Sequence, residues 1–310
     1  MSDPYLALAL SGPQVLQLLD DSVLIEEWDA LPLAFTVLGI DQVDGRPSTA
    51  VTTETSVVGA VLAGRTSAAR FLVAAGPRRD HPYNLARRVA SLGHLAAGRS
   101  GVVFGTPTES VTSGHSTADP WTDVTADDSV TGRSDRAAPR RLAAAIAAVR
   151  ALEQSWPLES VVGDLESGIF VRSDEIDHVD LEGQYRIAGP LTVPEPPGGP
   201  SVLAWVGDPA AVGAPEIDEL VDITLGGPNG VPVVGIGDDL PTGAVDGIVL
   251  GSGDDADVAA VLDTARHLLA DGFRPTGPAG TLRSVVGGPA PVRGARRRPA
   301  FPVPQPHPWL

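Results

Sequence analysis

The 310-residue sequence contains no cysteine. Disulfides, cysteine nucleophiles, iron–sulfur clusters and thiolate zinc sites are therefore excluded. It contains no lysine either, so all 22 basic residues are arginine. Schiff-base enzymes and P-loop nucleotide binding both need a lysine amine, and both drop out. Aromatic residues are scarce, at 5%, which leaves alanine, valine and leucine to build the core. Long apolar runs are missing too: none approaches the roughly 20 residues of a membrane span. Tyr5–Leu10 is short, has no basic segment before it, and reads as a first buried strand rather than a signal peptide. The net charge of −17 argues against nucleic acid, because neutralising phosphates takes a basic face. What remains is a soluble cytoplasmic α/β chain, long enough for one large domain or at most two.

Eight apolar runs have the length and bounding turns of strands: Tyr5–Leu10, Pro32–Ile40, Arg70–Ala75, Gly101–Gly105, Ser201–Val206, Leu220–Leu225, Val231–Ile236 and Val245–Leu250. Helix-period segments fall at Thr53–Gly64, Tyr83–Leu95, Arg140–Trp156 and Ala256–Leu269. The third is the clearest, with Leu142, Ala145, Ile146, Val149 and Leu152 at the spacing of a buried stripe. The last carries Val258, Val261, Leu262, Ala265 and Leu269 on one face. A polar loop, Thr106–Asp135, is long enough to be functional or partly disordered.

Strands alternating with helices predict a (β/α)₈ TIM barrel. Residues 1–291 form the barrel domain, with a turn-rich insertion at 159–199 before the fifth strand, and 292–310 form a Pro/Arg-rich extended tail. Only five residues separate the sixth and seventh runs and eight the seventh and eighth. Parallel strands need a dozen or more connecting residues. The barrel is therefore expected to be shortened and irregular around strands 6–8, or one of those runs lies outside it. The tail or a second subunit, as in a homodimer, is expected to cover that side. The Arg296–Arg298 run reads as a surface patch.

Residue types alone reveal little chemistry. The six His are not paired at metal-ligand spacing, and no G-x-S-x-G motif or paired carboxylates stand out. Asp80-His81-Pro82-Tyr83 opens a helix, with Asp80 or a neighbour as its cap. Gly251-Ser252-Gly253 could offer N–H groups to a phosphate, but Asp254 and Asp255 follow and would repel it, so a plain cap is expected.

Three longer stretches carry a resemblance. His81–Leu92 with Gly98-Arg99 resembles the "PYNLAR…SLD…GR" segment of a flavin monooxygenase group. Asp164–Phe170, His178, Gly183 and Gly189-Pro190-Leu191 are similar to that group's "DKxSGxF…H…G…GPLN" insertion. Asp246-Gly247, Phe273-Arg274 and Thr281-Leu282-Arg283 resemble its closing "DGF…FR…TLR" pattern. The group is the nitrilotriacetate, pristinamycin and dibenzothiophene-sulfone monooxygenase branch of the bacterial luciferase-like superfamily.

That resemblance implies a TIM barrel in which reduced FMN and O₂ oxidise a small organic substrate, the FMNH₂ coming from a separate flavin reductase. It places cofactor-binding positions at Asp41, His81, Tyr83, Asn84, Ser134, Gly207 and Asp208. Several are substituted. Gly207-Asp208-Pro209 stands where relatives have Ser-Ser for the FMN phosphate, and Ser134 stands where "RYDRA" has its Tyr. Ala74-Ala75-Gly76-Pro77 replaces "TAST", and Val102–Pro107 replaces "WNVVTS". Three readings follow: an FMNH₂-dependent monooxygenase, a degenerate non-catalytic scaffold or partner-binding relative with no cofactor, and an enzyme using deazaflavin.

Overall fold

A computed structural model describes residues 3–46, 53–76, 80–106, 133–251, 253, 256–287, 291–293 and 298–306. The expected polar loop falls mostly outside these residues, as do Ser252, Asp254, Asp255 and most of the arginine run. The strands are β1 (Tyr5–Leu10), β2 (Thr36–Leu38), β3 (Phe71–Ala74), β4 (Ser100–Phe104), β5 (Val161–Asp164), β6 (Ile169–Val171), β7 (Asp180–Leu181), β8 (Ile187–Ala188), β9 (Val202–Val206), β10 (Ile223–Leu225), β11 (Val233–Gly235) and β12 (Gly247–Gly251). Eight of these form one sheet in the order β10-β9-β4-β3-β2-β1-β12-β11, and every pair is parallel. Leu225 at the end of β10 bridges Val231 just before β11, so the edges meet in a nearly closed TIM barrel.

Each of the eight predicted runs supplies one barrel strand. The reason is that both faces of such a strand are covered, which makes its sequence continuously apolar. Alternate residues divide between two cores. Tyr5, Ala7, Ala9, Phe35, Val37, Leu72, Val103 and Ala204 fill the interior. Leu6, Leu8, Leu10, Phe71, Val73, Phe104 and Trp205 face the helices.

The expectation that one of the closely spaced runs lies outside the barrel is overturned. Positions 226–232 and 236–246 contain no helix, yet they join parallel neighbours. Glycine makes the first return possible: Gly226 (φ +76°) and Gly227 (φ +73°) hold left-handed backbone. At Gly230 a Cβ would come within 2.7 Å of the Thr224 carbonyl oxygen. The chain reverses at once and pairs through only two bonds, Val231 N–H to the Thr224 carbonyl (2.8 Å) and Gly226 N–H to the Val231 carbonyl (2.7 Å). The irregularity expected around strands 6–8 is this missing cover, and Ile236 and Leu240 stay 40–42% exposed.

The helices are α1 (Gly12–Asp20), α2 (Ser22–Ala30), α3 (Thr55–Arg65), α4 (Pro82–Leu95), α5 (Arg133–Glu153), α6 (Ile217–Leu220), α7 (Val258–Ala270) and α8 (Leu282–Val286). The predicted stripe of α5 is buried throughout, from Leu142 to Leu152. Cap residues that delimit α1 and α2 were present in the sequence: the Gln14 side chain accepts the Ser11 N–H (2.9 Å), and Asp21 accepts the Val23 N–H.

α8 closes the N-terminal end of the barrel, where Leu282 joins the interior core. Beside it, Asp222 accepts from Arg283 (2.8 and 3.1 Å), Arg150 (2.6 Å) and the Leu203 N–H (2.8 Å). Burial alone would raise this carboxyl, but the Arg283 bonds and the Arg150 charge hold it below its usual range.

Within 159–199 the strands form two antiparallel pairs, β5–β6 and β7–β8, outside the barrel sheet. The described C-terminal residues, 291–293 and 298–306, do not lie on the bare side of the barrel. They lie on these hairpins instead. His178 N–H donates to the Arg298 carbonyl (2.8 Å) and Ala300 N–H to the Ile176 carbonyl (2.7 Å), Ser173 donates to the Pro302 carbonyl (2.9 Å), and Arg293 pairs with Glu195.

Candidate functional site at the barrel mouth

Because all eight barrel strands are parallel, their C-terminal ends share one rim, the end at which barrel enzymes assemble their sites. The loop after β2 crosses part of that opening. Gly39 (φ +81°) lets the chain leave β2 sharply, Ile40–Gln42 forms a 3₁₀ turn, and Asp44 bridges Thr106 beyond β4. Val43 is fully buried and belongs to the interior core. Gly105 sits against its carbonyl oxygen, with no room for a Cβ. The segment 40–45 is thus a strap over the β2–β4 half of the mouth. The opposite half is more open: Val206 is half-buried and Val233 is 44% exposed, although Val233 pairs in register with Val249 of the interior.

The structure brings Asp41, His81, Tyr83, Asn84, Gly207 and Asp208 to this rim, but each described side chain is engaged locally or faces solvent. Asp41 is 6% exposed and accepts the Gly12 N–H at the start of α1 (2.7 Å). It therefore fills that helix end with its own negative charge. The cap of α4 is His81, not Asp80: its ring accepts the Tyr83 N–H (3.3 Å) and meets Tyr185 edge-on at 5.9 Å. Asp80 pairs with Arg88. Tyr83 donates its hydroxyl to the Pro190 carbonyl (3.1 Å), which ties α4 to the insertion. Asn84 is exposed. Ser134 lies in the first turn of α5, and its side chain is outside the described residues.

The phosphate position is the most altered. Gly207 (φ +94°) turns the chain off β9 and donates to the Leu225 carbonyl (2.8 Å). Asp208 accepts the Ala210 N–H (2.9 Å), Pro209 has no N–H to offer, and no helix begins until Ile217. The nearby Gly235 N–H is taken by Asp238 (3.0 Å). Of these N–H groups, those of Ala210 and Gly235 are thus occupied by carboxylates of the chain itself and that of Gly207 by a backbone carbonyl. These residues do not fit the phosphate of FMN. At Gly251–Gly253 the cap of the following helix is Asp257, which accepts the Ala259 N–H (3.1 Å). Among the described residues no cluster of His, Asp and Glu could hold a metal ion, and no helix is long and apolar enough to cross a membrane.

Sequence reasoning missed the strap. Its signals were Gly39 and Gly45, which bracket an apolar pair, Ile40 and Val43, and Gly105 on the facing strand end. Their partnership spans two strands and has no sequence periodicity.

No protein-family model matches the chain. A pristinamycin IIA synthase subunit of Streptomyces pristinaespiralis is 31% identical over 172 residues, covering 54% of this chain and 52% of that one. EDTA monooxygenase (EmoA) from Chelativorans sp. BNC1 superposes with a TM-score of 0.53 at 23% identity, over 72% of this chain and 53% of that chain. Long-chain alkane monooxygenase (LadA) gives a TM-score of 0.52 at 16% identity, over 67% and 52%. The chain spans about half the length of these relatives. It shares the barrel fold of these two monooxygenases, and over about half its length its sequence is similar to the pristinamycin IIA synthase subunit.

Proposed function

We propose that this chain is an accessory subunit of a luciferase-like flavin oxidoreductase. A second luciferase-like chain holds the reduced FMN that a separate reductase supplies, and a small organic substrate is oxidised there. The observation that carries this reading is Asp208 in the phosphate turn, bound to Ala210 N–H and followed by Pro209. The pristinamycin IIA synthase relative supports it, since that protein is by its name one component of a larger enzyme. In this role the barrel contributes surface and stability, and the strap at Val43 covers the β2–β4 half of a mouth that need not admit flavin.

Titration of the purified chain with FMN, followed by flavin fluorescence, tests the reading. A dissociation constant in the high micromolar range or weaker is expected. Binding at micromolar affinity or tighter overturns it and establishes the second reading, a complete FMNH₂-dependent monooxygenase. The feature favouring that second reading is the open half of the mouth, where Val206 is half-buried and Val233 is 44% exposed.

A further inference from the structure

Charge is unevenly placed along this chain. From Ile187 to Ala265 the sequence holds thirteen carboxylates and no arginine or histidine, so this quarter of it carries −13 of the net −17. These residues build β9 to β12, the connections between them and the start of α7. Solubility asks only for net charge, wherever it lies, whereas concentrating it on one side costs self-repulsion and creates a field that draws cations. The same side lacks helices at 226–232 and 236–246. A groove of about 570 Å³ lies there, between 226–233 and 244–247, and of its lining side chains only Asn229 and Asp246 are polar. Ile236 and Leu240, 40% and 42% exposed, add apolar surface on the segment after β11.

Carboxylates flank both β10 and β12. Exposed Asp218 accepts the Thr224 hydroxyl of β10 (3.3 Å), and Asp238, Asp239 and Asp246, before β12, are exposed as well. Asp238 also accepts the Gly235 N–H (3.0 Å), a contact that leaves its charge uncompensated. The bordering arginines are taken elsewhere: Arg150 and Arg283 by Asp222, Arg266 by Glu27 and Asp263. Arg274, exposed beside Tyr5, is the exception and marks one edge.

We propose that this side docks an amphipathic helix of a partner protein, with its apolar stripe in the groove and on Ile236 and Leu240. Its arginines or lysines lie against Asp218, Asp238, Asp239 and Asp246. Helical shape follows from the rest of the barrel, where outward side chains such as Phe71, Phe104 and Trp205 share one core with the apolar stripes of α4, α5 and α7. Cationic chemistry follows from the carboxylates, which an acidic helix would meet with like charge. A two-fold pairing of this side with itself fails for the same reason, since each copy would present the same acidic surface. This docking is independent of which chain holds flavin.

The test uses a synthetic amphipathic helix of about four turns, with leucines along one stripe and arginines beside it, and a twin carrying glutamate for arginine. Fluorescence anisotropy should show the arginine peptide binding the full chain, at least about tenfold more tightly than its twin and more weakly as salt rises. Changing Asp238, Asp239 and Asp246 together to asparagine should weaken binding about fivefold or more. The equal charge change in the insertion, Asp164→Asn, Glu166→Gln and Asp180→Asn, should leave it within about twofold. Ile236→Ser with Leu240→Ser should also weaken it about fivefold or more, through lost apolar burial. Equal binding of the twin, or an equal loss in the insertion variant, overturns the proposal. An unchanged affinity in the serine variant does so too, because charge alone then accounts for binding. Self-association of the chain that the triple asparagine variant abolishes assigns the surface to a second copy instead and likewise overturns it. If a variant fails to fold by circular dichroism, hydrogen exchange of the unmodified chain decides: the arginine peptide should protect 226–247, and protection elsewhere only refutes the site.

Discussion

Gly105, at the end of β4, lies directly beneath the backbone carbonyl of Val43, so that a methyl group on Gly105 would overlap that oxygen. The contact locks the strap across the barrel mouth, two strands away from where it starts. Gly105→Val should therefore displace 40–45 and expose the interior. We expect a loss of about 1–3 kcal/mol, the range for overpacking a filled site. Urea unfolding gives the loss, and faster proteolysis within the strap identifies its site. Unchanged stability would mean the strap is not held there.

Asp208 should oppose flavin binding. A unit charge about 4 Å from a phosphate costs on the order of 4 kcal/mol at an effective dielectric near 20. Replacing Asp208 and Pro209 with serine, and Ser134 with tyrosine, removes that charge and restores donors. FMN affinity should rise at least about tenfold, read by fluorescence quenching. If affinity does not change in this variant, the strap or the lost hydroxyls at Ala74–Gly76 already block the site.

Asp222 joins α5, β9 and α8 through Arg150, Leu203 and Arg283. Asp222→Ala leaves two largely buried guanidinium groups without their shared anion. The expected cost is about 3–5 kcal/mol, the range for breaking a buried ion pair, measured by denaturant unfolding. A cost below about 1 kcal/mol would reduce this network to a surface-like pair.

Glu153 gives the stability a pH dependence near neutrality. It is fully buried, and Oε1 accepts from Ser201 (2.7 Å) while Oε2 has no partner among the described residues. Burial pushes the carboxyl up to about 7, with the Glu195 charge adding to it and Ser201 and Arg150 opposing. Between its ordinary value and that one, the folded chain keeps a proton the unfolded chain has lost. Stability from this group is therefore full below the ordinary value and falls by on the order of 3 kcal/mol as pH rises to about 7. Asp222, whose value is lowered, acts only in the acid limb. Glu153→Gln should flatten the slope between pH 5 and 8 in thermal melts, and an unaltered slope would assign it to other groups.

The barrel strands and main helices were legible because burial on both faces writes itself into local sequence. Tyr5–Leu10 and Val245–Leu250 are apolar throughout, and Leu142 to Leu152 repeat at helical spacing. The rim positions Asp41, His81 and Asp208 were legible by resemblance, and their substitutions already indicated an altered phosphate turn. What each side chain does there was decided only in three dimensions. Asp41 meets Gly12, Tyr83 meets Pro190, and Val43 meets Gly105 across distances in the chain that no periodicity records. The short return after β10 was misjudged for the same reason. The usual length of a parallel connection assumes ordinary backbone, and only the folded chain shows left-handed glycines at 226 and 227 turning it back within a few residues. Patterns of burial are local and repeat, so sequence determines them, whereas contacts between loops depend on where the closed sheet places their ends.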